Sequence, residues 1–493
     1  MRVVKQQQGR LGQVAIADIQ FDARSRDDIP AVLKGLQYIY VTEAVREKVF
    51  ALLEHSLTTK VRHDTGRPGM ELWEIFVLAT LKLAVNCDFD RLQELANSHL
   101  QLRQMLGHPG WDGDQKYALQ TLVDNVSRLS PKVLADINQV VVEAGHELLK
   151  KKSSQPLLAR CDSFVVETDV HYPTDINLLW DAMRSLIHLM GRVSEKQGIG
   201  GWRQYRFNAN QLKKKFRKVQ NIRRSHSKDD SKKEQTLAHV RACVRDYLSE
   251  AKHYTDKSKQ AIATLASQGE VIAIVQIEGL IAHALRQMNQ IERRLLNGET
   301  IPHEEKVFSI FEDHTEWISK GKAGVPVELG VRVCVLEDQH QFVLHHRIMW
   351  KETDDKVAVA MIEDTKRRYP ALSQCSFDKG FYTPTNRDRL DQLLEVNVLP
   401  KKGRLNVVDK AREASEEFQS ARRQHSAVES CINNLEVRGL DRCLSYGRDG
   451  FERHVALSVV ASNLHRVGLL LQRKAKERLM KDPRLRERQK LAA

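Results

Sequence analysis

The order of helical and strand-like segments limits the fold of this chain more than any other feature of the sequence. Through residue 150, apolar side chains recur at helical spacing, as in VTEAVREKVFALLEHSL and ELWEIFVLATLKLAV. At Leu157 the pattern changes to the β-branched, apolar segment LLARCDSFVVET. Helical spacing then returns from about Asn177 to Asn297. We therefore expect a helical insertion after the first strand.

Strand-like segments return at Lys306 and alternate with helical ones to the end of the chain. KVFSIFEDHTEWISK, PVELGVRVCVLED and QFVLHHRIM are β-rich, and a helix, the strand LSQCSF, a helix and the strand VNVLP follow. Two more helices, one around Glu429 and one at HVALSVVASNLHRVG, complete the pattern. This order predicts an α/β fold with a mixed sheet. The expected regions are 1–150 (helical N-terminal domain), 155–180 (first strand), 181–300 (helical, basic insertion), 301–470 (rest of the sheet domain) and 471–493 (basic tail).

The charge balance favours a polyanionic partner. Lys and Arg number 78 against 64 Asp and Glu, which gives a formal net charge of +14. Nucleic acid is the commonest partner of such a surplus, although many basic proteins bind none. The N-terminal helices could form a helix-turn-helix DNA reader, or a small bundle that only packs or dimerises.

A dense basic run lies in the insertion. Such a run is commonly a solvated helix face, but here Tyr205, Phe207, Phe216 and Ile222 interleave with the cations, which favours a surface that follows a nucleic-acid backbone. The candidate DNA-binding residues of the run are Lys213, Lys214, Lys215, Arg217, Lys218, Arg223 and Arg224. In the loop ISKGKAG, Lys320 and Lys322 are further candidate phosphate contacts.

Cysteine usage and apolar stretches indicate a soluble, cytoplasmic protein. The seven cysteines are scattered, with no C-x-x-C pair, so neither a disulfide framework nor a zinc knuckle is implied. The N-terminal segment lacks the apolar core of a signal peptide. The longest apolar stretch, Ala456 to Leu471, is interrupted by Asn463, His465 and Arg466, so we expect no membrane span.

Three acids stand at positions suited to metal chemistry. Asp162 is embedded in the first strand, Asp378 ends a later strand, and Glu429 lies in the late helix ARRQHSAVESCINNLE. Phosphodiester hydrolysis and strand transfer use two divalent ions about 3.5–4 Å apart, held by carboxylates. Mg²⁺ prefers hard oxygen ligands and keeps several waters, so three carboxylates suffice. Asp169 and Asp175 are alternatives for the first carboxylate.

Three blocks of the sequence resemble a known family. CDSFVVETDVHYPTD, SFDKGFYTPTNR and RRQHSAVESCINNLEVRGLDR are similar to the motif blocks of bacterial insertion-sequence DDE transposases, and most of all to the ISNCY-like group. The intervening SIFEDHTEWISKGKAGVPVELG also resembles that group. The likeness runs from about Leu157 to Gly468, interrupted by the insertion, and is looser in the N-terminal region.

The resemblance implies an RNase H-like catalytic core whose catalytic and metal-binding residues are Asp162, Asp378 and Glu429. It also implies two Mg²⁺ ions, for which Mn²⁺ could substitute. Related enzymes carry Tyr, Arg and Lys seven before, four before and seven after the glutamate. Here those positions hold Arg422, His425 and Glu436, so the three roles are not carried over.

Other cations near the motif blocks could contact phosphate. Arg423 and Arg438 have suitable spacing from Glu429, and Lys379 follows Asp378 directly. Lys379 could touch the scissile phosphate or simply balance the neighbouring acids.

The implied activity is nicking at the ends of a mobile element, followed by attack of the freed 3′-hydroxyl on target DNA. The expected partners are the terminal inverted repeats, the target DNA and a second copy of the chain, in a dimer or larger assembly near the bacterial nucleoid. A nuclease on the same core without strand transfer, and a catalytically silent repressor derived from a transposase, are the alternatives.

Overall fold

The computed structural model describes residues 3–5, 12–22, 24–58, 69–109, 116–152, 155–223, 230–319 and 326–481. The chain divides into two compact units. Unit 1 comprises Met1–Asp169 and Ile318–Ala493, and unit 2 comprises Val170–Trp317. The mixed α/β class predicted from the segment order is confirmed, since helices surround one open sheet with parallel and antiparallel strands.

Seven helices precede the sheet in the described part of unit 1: α1 (Asp28–Val41), α2 (Glu43–Thr58), α3 (Leu72–Ala84), α4 (Phe89–Ser98), α5 (Leu100–Met105), α6 (Leu119–Val126) and α7 (Pro131–Leu148). Their starts follow ordinary capping chemistry. The Asp27 side chain accepts a hydrogen bond from the backbone N–H of Ile29, and Ser130 caps α7 just before Pro131.

The sheet contains β1 (Leu157–Thr168), β2 (Glu316–Ser319), β3 (Val327–Asp338), β4 (Val343–Met349), β5 (Leu372–Phe377), β6 (Val396–Val398) and β7 (Arg442–Cys443). Its order is β2-β3-β1-β5-β6, with β4 paired to β3 and β7 paired to β1. β3 runs antiparallel to β1 and β4 antiparallel to β3, whereas β5 is parallel to both β1 and β6. β1 is therefore the junction between an antiparallel and a parallel half.

One predicted strand differs from the structure. The segment from Lys306 was expected to be β-rich, but regular pairing begins only at Glu316. The hydroxyl of Ser309 accepts hydrogen bonds from the backbone N–H groups of Phe311 and Glu312, which turns the chain there. This local serine turn competes with a strand, although the apolar pattern around it is strand-like.

The helices after β4 are α12 (Asp354–Arg368), α13 (Pro384–Leu393), α14 (Val407–Ala414), α15 (Glu416–His425), α16 (Ala427–Leu435) and α17 (Gly447–Lys481). The longest, α17, is the central core helix of unit 1 and packs against α1, α3 and α7. It approaches α1 closely because both helices place a glycine at the crossing. A Cβ atom on Gly468 would lie 1.8 Å from the carbonyl oxygen of Ala31, and one on Gly35 would lie 2.3 Å from that of Leu464.

Unit 2 is a bundle of α8 (Asp175–Gln197), α9 (Tyr205–Arg223), α10 (Asp230–Ser267) and α11 (Val271–Ile291) around its own apolar core. The Trp180 and Phe216 rings stack with centroids 5.4 Å apart. Gly191 lets the ring of Tyr205 pack against α8, since a Cβ there would lie 2.1 Å from that ring.

Of the helices that the structure describes, two stretches, Val271–Leu296 and Gly447–Arg478, are long and apolar enough to cross a membrane by length and composition alone. In the second, 83% of the apolar window is buried inside the fold, against 28% in the first. The second, which contains the apolar stretch Ala456–Leu471, thus has the burial of a core helix in a soluble protein.

Candidate metal centre

The strand register brings Asp162 and Asp378 together. Cys161 of β1 is opposite Phe377 of the parallel strand β5. Asp162 follows Cys161 and Asp378 follows Phe377, so the two aspartates are neighbours across the two strands. Cys161 and Phe377 are fully buried on one face of the sheet. Because successive side chains alternate between faces, Asp162 and Asp378 share the other face.

His425 completes a group of three possible ligands on that face. It is the last residue of α15, which packs against β5 and β6. Its Nε2 atom lies 3.4 Å from Oδ1 of Asp378. One ligand atom each from Asp162, Asp378 and His425 lies within 4.8 Å of the other two, so this group could hold a metal ion.

The second ring nitrogen of His425 has a structural partner. Nδ1 lies 3.0 Å from the hydroxyl oxygen of Ser376, a buried residue on β5. The Nε2 atom is buried, has no hydrogen-bond partner among the described residues, and lies 3.4 Å from Asp378 as an ion-pair contact. Metal-bound histidines commonly use one nitrogen for the ion and the other for an orienting hydrogen bond. The surroundings of His425 match that division.

The two carboxylates have opposite electrostatic environments. The pKa of Asp162 is raised to about 6, chiefly by burial and also by the negative charges of Asp378 and Asp354. The backbone N–H of Ser163, which donates to Asp162 Oδ1 at 2.7 Å, and the imidazole of His425 act in the other direction. The pKa of Asp378 is lowered, first by His425 and also by Arg422. A bound cation would favour the ionised form of both carboxylates.

Asp354 is a further acid at this site that the sequence reasoning did not single out. It is the first residue of α12, and its Oδ1 accepts a hydrogen bond of 2.6 Å from the Ser163 hydroxyl. A Cβ atom on Gly380 would lie 2.8 Å from its Oδ2, so the Asp-Lys-Gly block passes directly beside it. In the sequence, Asp354 looks like an ordinary acid of the first helical turn. Its hydrogen bond is with Ser163, which follows Asp162, and its charge raises the pKa of Asp162, so Asp354 lies near the group of three without belonging to it.

Glu429 is not part of the group that the structure assembles. It lies in the first turn of α16 and is exposed, while Val428, Cys431 and Leu435 of the same helix are buried. These three side chains face the core, which leaves Glu429 on the outer side of the helix. Among the described residues, His425 rather than Glu429 joins the two aspartates, and the catalytic role of Glu429 stays a prediction.

The alternatives for the first carboxylate have other partners. Asp169 lies with Oδ1 3.8 Å from Nη1 of Arg442. Asp175 begins α8 in unit 2, is 8% exposed, and lies 2.9 Å from Nη2 of Arg294. Of the three candidates, only Asp162 belongs to the group with Asp378.

The basic run forms an amphipathic helix. On α9, Lys214, Arg217 and Lys218 are exposed and Lys213 is half-buried. Lys215 instead forms ion pairs within unit 2, 2.9 Å from Asp246 and 2.8 Å from Glu250.

The interleaved aromatic residues serve mainly the core. Tyr205 and Phe216 are buried, whereas Phe207 is 58% exposed. The interleaving that suggested a nucleic-acid surface therefore reflects, in large part, the apolar side of α9. The Arg223 side chain and residues Arg224, Lys320 and Lys322 lie outside the described part of the structure.

The remaining candidate cations separate into two groups. Lys379 and Arg423 are exposed, next to Asp378 and near His425 in the sequence. Arg438 is 3% exposed. Its guanidinium donates to Asn434 and to Nδ1 of His465, and lies 3.5 Å from Asp28. Because the guanidinium of Arg438 is buried and bonded within the fold, we do not retain it as a surface contact for DNA.

Comparisons with protein-family models, curated proteins and solved structures found no match to this chain.

Proposed function

We propose that this chain is a DNA transposase of the insertion-sequence DDE type that cleaves and joins DNA strands in a metal-dependent reaction. The observation that carries the proposal is the placement of Asp162 within β1 and of Asp378 directly after the adjacent parallel strand β5, with the buried Nε2 of His425 beside them. The resemblance of the sequence blocks around these residues supplies the substrate class.

The sheet supports an RNase H-like core. Its two halves meet at β1, where β3 is antiparallel and β5 parallel. The acids lie within β1 and directly after β5, at the junction of the halves. An RNase H-like core is a mixed sheet with its carboxylates on such strands, so the layout agrees with what the resemblance implies.

The donor set fits a divalent cation. Two carboxylates suit Mg²⁺ or Mn²⁺, and the imidazole nitrogen of His425 favours Mn²⁺ over Mg²⁺. A divalent ion held there would polarise a phosphoryl oxygen and lower the pKa of a bound water or hydroxyl. A second ion would need further oxygen ligands, and Asp354 and Glu429 are the candidates in the chain.

The other residues of the site have defined tasks in this proposal. Ser376 holds the His425 ring in place through Nδ1. Arg422 lies near enough to lower the pKa of Asp378, and its buried Nη1 has no hydrogen-bond partner in the described ranges. A phosphate oxygen of the scissile strand would give that N–H a partner, as arginine commonly does for phosphate.

The charge of the chain supports DNA binding as part of this proposal. The net charge of +14 and the exposed cations Lys214, Arg217 and Lys218 on α9 suit phosphate contacts. Recognition of the element ends by the N-terminal helices, and assembly as a dimer or larger complex because two ends are joined, are parts of the same proposal.

The test is nicking of supercoiled DNA that carries the element's own ends, with Mg²⁺ and with Mn²⁺. We expect cleavage that leaves a 3′-hydroxyl in the wild type and is lost in Asp378→Ala. Asp169→Ala is the matched control, since Asp169 is a half-exposed aspartate paired with Arg442 outside the group, and it should cleave normally. Cleavage that survives Asp378→Ala would place the active site elsewhere.

A catalytically silent repressor is the second candidate. The observation that favours it is the exposed position of Glu429 outside the three-residue group. Specific binding to the element ends without cleavage, in both Mg²⁺ and Mn²⁺, would support the repressor. Cleavage without any joined product would instead support a nuclease that lacks strand transfer.

A further inference from the structure

Unit 1 has a pocket that is lined by none of the residues of the metal centre. Its volume is about 350 Å³, and α3, α4, α6 and α17 form its walls together with the segment after β7. Leu83, Phe89, Val126 and Leu457 supply apolar lining. Pockets of this size that are mainly apolar, with a few polar groups, are typical of small-molecule sites.

The pocket contains a buried cation that forms no ion pair within the described part of the chain. Lys82 lines it and is 7% exposed. Its Nζ lies 4.8 Å from the centroid of the Phe89 ring, and it makes no hydrogen bond or ion pair with any residue that the structure describes. Burial lowers the pKa of Lys82, as expected for an ammonium group removed from water, while the charge of Asp88, which forms no ion pair with Lys82, acts in the other direction. An unpaired ammonium at such a position is costly unless a ligand supplies the opposite charge.

The other polar groups add no negative charge. Arg453 donates a 2.7 Å hydrogen bond from Nη1 to the carbonyl oxygen of Ser127, which fixes a second cation at the wall. Burial lowers the pKa of His454 to about 4, so its imidazole is neutral near pH 7, with Nε2 2.7 Å from the Gly439 carbonyl oxygen. The described lining residues include neither aspartate nor glutamate. The pocket therefore combines apolar walls with net positive charge.

We propose that this pocket binds a small amphipathic anion, with a carboxylate or phosphate at the Lys82 ammonium and a flat apolar body against Phe89, Val126 and Leu457. Tyr446, which is 79% exposed, lies at the mouth. Such a ligand satisfies the charge of Lys82 and removes apolar lining from water in one step. The site goes beyond the proposed strand transfer, because it needs neither DNA nor a metal ion.

The binding test uses the full-length protein and isothermal titration with three probes of similar shape. Benzoate carries the carboxylate form of the head group, phenyl phosphate the phosphate form, and benzamide is the neutral control. We expect saturable binding of at least one anion. Benzamide should bind at least about tenfold more weakly than that anion, since one charge-assisted contact is lost. The stronger of the two anions identifies the natural head group. Absence of saturable binding of both anions would overturn the proposal.

Two variants assign the binding to this pocket. Lys82→Met keeps the length and apolar stem of the side chain, and we expect the affinity for the anion to fall about tenfold. Lys34→Met is the control, since Lys34 is a half-buried lysine beside an aromatic ring, 5.7 Å from the Phe21 centroid, and lies outside the pocket. Equal affinity in wild type and Lys82→Met would contradict the assignment.

A change at the mouth covers the case in which Lys82→Met does not fold. Tyr446 is largely exposed, so Tyr446→Asp should leave the fold intact while adding a negative charge at the entrance. We expect weaker binding of the anion and unchanged binding of benzamide. If Tyr446→Asp leaves anion binding unchanged as well, the anion binds at another place on the protein.

Discussion

Asp162 connects the chemistry of the site to the stability of the metal-free protein. In the folded state its pKa is raised from 3.8 to about 6, chiefly by burial. The folded state therefore holds the proton more tightly than the unfolded chain does. The resulting loss of stability begins as the pH rises above about 4 and is complete above about 6.

Asp162→Asn tests this account, because the amide is neutral at every pH. In the absence of metal we expect the free energy of unfolding to rise by about 2 kcal/mol at pH 8 and by less at pH 5. Urea denaturation at both pH values measures the change. Asp169→Asn, at an aspartate that lies outside the group, should show no such pH-dependent gain. A loss of stability at pH 8 in Asp162→Asn would show that burial does not destabilise the ionised carboxylate.

Ser376 is a positioning residue, because its hydroxyl orients the imidazole ring of His425. Ser376→Ala removes the contact with His425 Nδ1 and frees the imidazole ring. We expect Mn²⁺ affinity, measured by titration with electron paramagnetic resonance detection, to fall about tenfold.

Ser373→Ala is the control for Ser376→Ala. Ser373 is also buried on β5, but its hydroxyl contacts the backbone oxygen of Leu157 at 3.5 Å. Its substitution should leave Mn²⁺ affinity unchanged. An equal loss of affinity in both variants would indicate a general effect on the strand rather than orientation of His425.

Among the elements, the crossing of α1 and α17 depends on two glycines. A Cβ on Gly468 would overlap the backbone of Ala31, which cannot move away as a flexible side chain could. We expect Gly468→Ala to destabilise unit 1 by about 3 kcal/mol, measured by denaturant unfolding.

Gly279 has room for a side chain, in contrast to Gly468. It lies inside α11, where a Cβ would meet nothing within 4 Å. Gly279→Ala should therefore stabilise unit 2 by about 1 kcal/mol, since alanine has the higher helix propensity. A destabilised Gly279→Ala or a neutral Gly468→Ala would mean that the helix contacts differ from those described.

For the whole molecule, the two units have separate apolar cores, and all three possible metal ligands lie in unit 1. Free Mn²⁺ at about 100 times its dissociation constant should stabilise unit 1 by about 3 kcal/mol and leave unit 2 unchanged. Scanning calorimetry with and without Mn²⁺ measures this. Gly468→Ala and Gly279→Ala identify which transition belongs to which unit, and His425→Ala should abolish the shift. A shift confined to the unit 2 transition would contradict the metal site.

The sequence by itself determined the class of the fold and the position of the first strand. LLARCDSFVVET corresponds residue for residue to β1, and LSQCSF to β5, because β-branched and apolar runs leave few alternatives to a buried strand. For the segment from Lys306 the same pattern predicted a strand where the chain turns at Ser309. That turn depends on one hydroxyl and not on the apolar pattern.

The tertiary structure alone decided which side chains meet. Asp162 and Asp378 are adjacent because the β1–β5 register places them so, a long-range pairing that no local pattern contains. His425 and Asp354 enter the site through the packing of α15 and α12, whereas Glu429 faces outward because three apolar neighbours occupy the inner side of α16. Local propensities act over a few residues, but a site is assembled from segments far apart in the chain, so only packing and register select its members.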